Sequence, residues 1–127
     1  MLDVEKSRVH RTKLSRLKEK GKAMADMETV MTKAVEILES KDYNIIQIID
    51  DAVICEDEDC IVICRVRYTT GEYLKDPTRE ECEKIMTSVL MEANFDKSGP
   101  IRFDEIQVLD FENGHGLLRH HINVAND

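Results

Sequence analysis

The chain is 127 residues long, room for one compact domain, and its residues are 42% hydrophobic and 35% charged, enough apolar side chain for a core and too much pattern for a disordered tail. Eighteen Lys and Arg stand against 26 Asp and Glu, a net charge of -8, which excludes a protein whose whole surface coats nucleic acid or anionic membrane. The absence of Trp and the presence of only two Pro and five Gly argue against a many-stranded all-β sandwich and leave a mixed α and β domain.

Residues 1–22 carry eight basic side chains (Lys6, Arg8, Arg11, Lys13, Arg16, Lys18, Lys20 and Lys22) against Asp3, Glu5 and Glu19, a local charge of +5 that leaves -13 for the remainder. Val9, Leu14 and Leu17 form only a thin apolar stripe, so this segment reads as a basic, solvated helical extension ahead of a domain over 26–127. Its charge is wrong for a signal peptide and no apolar run reaches the roughly 18 residues of a membrane helix, so a cytoplasmic chain with reduced cysteines and no membrane association is expected.

From Asp26 onward Val30, Met31, Ala34, Val35 and Leu38 recur at helical spacing up to a turn at Ser40-Lys41-Asp42. Tyr43 to Ile49 is rich in β-branched residues and short, which predicts a strand; Ala52 to Cys55 predicts a second, and Cys60 to Tyr68 a third. Between the last two, Glu56-Asp57-Glu58-Asp59 reads as a hairpin tip. Asp76-Pro77 is expected to open a second helix, Asp as N-cap and Pro at the first helical position, continued by Cys82, Ile85, Met86, Val89, Leu90 and Ala93 on one face. Ile101 to Phe111 and Leu117 to Val124 then predict two strands joined through Asn113-Gly114-His115-Gly116.

The resulting order of helix, three strands, helix, two strands is that of a restriction-endonuclease-like mixed sheet flanked by helices, an α/β fold. Four segments resemble the YraN-like family of small endonuclease-like proteins, within the PD-(D/E)xK superfamily. They are Ala34 to Leu38 with Asp42 to Ile45, Ala52-Val53-Ile54, Ile61 to Tyr68, and Arg102-Phe103-Asp104 through Val108. The resemblance implies paired carboxylates holding Mg²⁺ and a nearby Lys orienting the attacking water at a phosphate. Carried over residue by residue, the family's helix-one glutamate falls at Met31, the aspartate of its second strand at Ala52, and the glutamate and lysine of its third strand at Arg65 and Arg67.

A thioether, a methyl group and a cation cannot replace three metal-binding carboxylates, so the expectation is a nuclease-like domain that has lost catalysis and keeps a binding or assembly role, with no metal or cofactor. Mg²⁺ returns only if Asp50, Asp51 and Glu72 have rebuilt the site, the alternative of a displaced nuclease. Arg65 and Arg67, two apart on a strand, point to one face; either they bind phosphate or carboxylate bidentately, with Asp50 and Glu72 nearby, or they pair internally with Asp50, Asp51 or Glu72. The remaining alternatives are a phosphate-binding or nucleic-acid-binding module that uses these arginines with residues 1–22 and binds weakly, and a subunit that meets a protein partner or another copy of itself. Cys55, Cys60 and Cys64 lack metal-ligand spacing and are expected in the core, as are Met24, Met27 and Met31, while His115, His120 and His121 are expected at the surface or at a sheet edge.

Overall fold

In the computed structural model the structure is described for residues 8–15, 27–70, 74–95, 99–111 and 115–124. Six strands form one sheet with a helix on each face: β1 (Arg8–Ser15), α1 (Met27–Ser40), β2 (Asn44–Ile49), β3 (Ala52–Asp57), β4 (Cys60–Thr70), α2 (Arg79–Ala93), β5 (Ile101–Phe111) and β6 (His115–Ile122). The strand order is β1-β6-β5-β4-β3-β2, and every neighbouring pair is antiparallel except β4 and β5. That one parallel pair is what makes a crossover necessary, and α2 supplies it, since a parallel neighbour is reached only through such a connection.

Alternation along the central strands divides the core in two. On one face α1 buries Val30, Ala34 and Leu38 against Val53, Cys55, Val62, Cys64, Val66, Ile106 and Val108. On the other α2 buries Cys82 and Val89 against Ala52, Ile54, Ile63 and Phe103. The turns fall where acidic residues accept a left-handed backbone: Asp42 after α1 (φ 67°), Asp50 between β2 and β3 (φ 51°) and Glu58 in the two-residue β3–β4 turn (φ 57°).

From residue 27 on, the order of elements is as the sequence predicts, with three local corrections, the first being that β6 begins at His115 and ends at Ile122, so that His115 and Gly116, expected in the turn, pair with Phe111 and Asp110. The acidic hairpin tip is shorter than expected, because β3 runs through Asp57, whose carboxylate takes the Arg102 guanidinium at 3.0 Å. The N-cap of α2 is Thr78, which accepts from the Glu81 amide while the Glu81 carboxylate accepts from the Thr78 amide, a closed capping box. Asp76 is thereby released from the cap and turns to Arg119 and Gln107.

The larger correction concerns the basic extension. Arg8–Ser15 is a strand rather than a helix, pairing with all eight residues of β6 from Ile122 to His115. Without it β6 would be an exposed edge, and long-range ladder pairing outweighs the weak helical stripe seen locally. Residues 1–7 and 16–26, the rest of that extension and the link to α1, lie outside the described residues.

Candidate functional site

The register places Ala52, Arg65, Glu105 and His121 in one row across β3, β4, β5 and β6 on the α2 face. The next row along that face holds Arg67, Gln107 and Arg119. Glu105 is fully buried and accepts four hydrogen bonds. Its Oε2 receives Arg65 Nε (3.0 Å) and Nη2 (2.7 Å), and its Oε1 receives Arg67 Nη2 (2.8 Å) and Gln107 Nε2 (2.7 Å). Arg119 continues the network to the Gln107 carbonyl (3.1 Å) and the Asp76 carboxylate (3.2 Å). Burying a carboxylate this deeply requires such complete pairing.

Above the row opens a cleft of about 500 Å³ at the start of α2, lined among others by Arg65, Arg67, Lys75, Thr78, Glu81 and Lys84. The arginine side chains keep 19% and 23% exposure, so each guanidinium is held from below by Glu105 and meets solvent from above. Hydrogen bonds at the Thr78 cap hold the Glu81 carboxyl below its usual range. A second recess of about 290 Å³ shares Arg65 and Lys84 and adds Asp50, Asp51, Ser88 and Glu92.

This donor set does not fit a divalent cation. Ala52 contributes no oxygen, its neighbour in the row is the cation Arg65, and both oxygens of Glu105 beyond that are taken by two guanidinium groups and an amide, so a metal ion would have to displace arginine at contact distance. Among the described residues no group of three His, Cys, Asp or Glu is placed to hold a metal ion.

On the α1 face a second polar cluster is built around the buried Asp104 and His120. Lys41 Nζ lies 2.8 Å from His120 Nδ1, and His120 Nε2 lies 2.9 Å from Asp104 Oδ2. A lysine ammonium only donates, so Nδ1 accepts and the ring proton sits on Nε2, facing the carboxylate. Arg102 grips both oxygens of Asp104 (2.8 and 3.0 Å) and reaches Asp57 and the Tyr43 hydroxyl. Burial alone would push the Asp104 carboxyl up, yet the bonds from His120 and Arg102 prevail and hold it below its usual value. Burial also raises the Tyr43 hydroxyl.

Arg65, Arg67 and Asp50 therefore line neighbouring recesses on one face, and Ala52 stands directly beside Arg65 in the ladder. Met31 is not with them: it sits on α1, across the sheet, in a groove with Val35 and Ile48. Glu72 lies outside the described residues. The internal partner of both arginines is Glu105 rather than Asp50 or Asp51. Cys55, Cys64 and Cys82 are buried, and Cys60 half-buried. His120 and His121 are buried, against the expectation of surface or edge positions, because β1 covers the far side of β6 and makes it an interior strand. They do point opposite ways, His120 to Asp104 and His121 toward Asp76.

Sequence reasoning missed Asp104, Glu105 and Gln107 as the organising groups. The signal was there: two adjacent acids and an amide within an eleven-residue strand lying between β4 and β6 have no solvent to face and must find partners on both sides of the sheet.

No protein-family model matches the chain, and neither does any curated protein or any solved structure. None of the described helices is long and apolar enough to cross a membrane.

Proposed function

We propose that the chain is a divergent restriction-endonuclease-like domain, similar to the YraN-like family, that has lost metal-dependent cleavage and binds a phosphate-bearing ligand at the Arg65–Arg67 cleft. The fold part of this reading is supported by the path of the chain: α1, the antiparallel run β2, β3, β4, then α2 as crossover to a parallel β5. The observation that carries the functional part is the double engagement of Glu105. It neutralises one of two guanidinium charges and fixes both side chains at the floor of an open cleft that also holds Lys75 and Lys84, while the cleft's two carboxylates are engaged, Asp76 by Arg119 and Glu81 by the Thr78 amide. Preset guanidinium groups suit phosphate oxygens, and losing less side-chain freedom on binding favours such a site.

On a chain of net charge -8 a polyanion is repelled once it comes within about a Debye length, roughly 8 Å, of the acidic surface, so contact is confined to this local basic patch and is sensitive to salt. The test is binding of short labelled single-stranded DNA and RNA, with inorganic phosphate as competitor, at low salt. Arg65→Ala with Arg67→Ala should weaken binding by about tenfold or more, the scale of one lost charge-assisted hydrogen bond. Affinity that survives the double change would place the ligand elsewhere, and no binding of any of these probes by the intact protein would refute the reading. Cleavage of any probe in Mg²⁺ would overturn the loss of catalysis.

A further inference from the structure

We propose that the two terminal strands of the sheet among the described residues join head to tail between copies of this chain, β1 of one copy adding antiparallel to β2 of the next. The inference is independent of the cleft. β2 is a terminal strand of the sheet, and its sequence, Asn-Ile-Ile-Gln-Ile-Ile, contains neither charge nor proline, so of the usual protections of an edge strand it shows only the bulge near Ile46. Ile46 and Ile48 are 41% and 50% exposed there. The bulge between Ile45 and Gln47 lies in the ladder to β3, and past it Gln47, Ile48 and Ile49 pair regularly, so that half of β2 offers an incoming strand an undistorted outer edge.

Ile48 also forms the floor of a groove of about 420 Å³ against α1, with Met31 and Val35, and the rim carries the exposed glutamates Glu28, Glu36 and Glu39. An apolar floor with an acidic rim fits a basic strand. It disfavours β2 pairing with its own copy: the antiparallel form of that pair turns both α1 helices to the same side of the joint sheet and brings the two sets of glutamates together. The opposite edge supplies the complement. β1, at the other end of the strand order, reads Arg-Val-His-Arg-Thr-Lys-Leu-Ser, without an acid, and its ladder with β6 sets positions 11 and 13 in the rows of Arg119 and Leu117 on the α2 face; adding β1 antiparallel to β2 turns that face toward the next copy's α1, so Arg11 and Lys13 carry the complement. One edge is apolar with acidic flanks and the other is basic, so a second copy satisfies both, by main-chain pairing for affinity and by charge for orientation.

A contact between two different patches does not close on itself at two subunits, so assembly should pass beyond the dimer. Sedimentation of the full chain at low salt should give a mass that rises with concentration past the dimer and falls back in about 0.5 M salt, where the Debye length is only a few Å. Glu28→Lys with Glu36→Lys and Glu39→Lys, all exposed positions, should weaken association by about tenfold or more. A chain with Arg11→Glu and Lys13→Glu should behave alike, and mixing the two variants should restore assembly, because each then offers the edge the other needs. Circular dichroism of each variant checks that the fold is kept, and should β1 reversal unfold the chain, the α1 variant decides alone. A monomer at every concentration, an assembly that stops at the dimer, or one that ignores the glutamate changes would overturn the proposal. Phosphate binding at Arg65 and Arg67 should be unchanged by the α1 substitutions, which keeps the two readings separable.

Discussion

Arg65 approaches Glu105 with two of its nitrogens, Nε at 3.0 Å and Nη2 at 2.7 Å, on the same carboxylate oxygen, Oε2. Arg67 occupies the other oxygen. The pairing converts what would be like-charge crowding between two arginines on one strand face into a fixed floor for the cleft, and it ties β4 to β5 at their parallel junction.

Removing the shared anion should therefore cost more than removing either cation. Glu105→Ala leaves two guanidinium groups crowded and without a counterion, and a loss of about 3 kcal/mol is expected, the lower end for a broken buried pair because both arginines keep some solvent. Glu105→Gln should cost less, since an amide oxygen still accepts. Urea denaturation measures both; equal small effects would mean the pair is solvent-screened.

Acid should weaken the fold through His120. Burial lowers its pKa, with Lys41 and Arg102 acting in the same direction and Asp104 opposing. The unfolded chain then takes up the proton first as pH falls below 6.5, so the stabilisation from neutral His120 is complete above that value and declines beneath it. Asp104, held below its ordinary 3.8, adds a second loss only at still lower pH, as the solution passes below that value. The urea midpoint should drop between about pH 7.5 and about pH 5.5, and His120→Gln should flatten that slope. An unchanged slope in the variant would assign the proton uptake to another group.

The capping box of α2 gives a local test. Thr78→Ala removes the acceptor for the Glu81 amide and should lower stability by about 1 kcal/mol in thermal or urea melts. A neutral change would mean water replaces the hydroxyl without loss.

Thiol reactivity reads the core directly. Burial pushes Cys55 up to about 12 and Cys82 up to about 11, and raises Cys64 as well. Titration with a disulfide reagent at neutral pH should label Cys60 first, slowly because burial raises its pKa too, and the other three only after denaturant is added. Rapid labelling of Cys64 would show local opening between α1 and the sheet.

Much of the element plan was legible because it rests on short-range periodicity. Val30, Ala34 and Leu38 return every four residues and must form one helical face, and the strand predicted from Ile101 to Phe111 has those same limits in the structure. That Arg65 and Arg67 share a face, and that His120 and His121 do not, follows equally from the two-residue period of a strand. Partners are a different matter. Glu105 lies 40 residues from Arg65 and Asp104 lies 16 from His120, and only the register of β4, β5 and β6 brings them together. The same holds at the edge: nothing local in Arg8–Ser15 marks a strand, and it becomes one because β6 presents an unpaired ladder of main-chain groups that the chain's first segment can complete. Local pattern determined which residues form helices and strands from α1 onward and which way neighbouring side chains point; long-range pairing decided which charges are neutralised, which histidines are buried, and where the sheet ends.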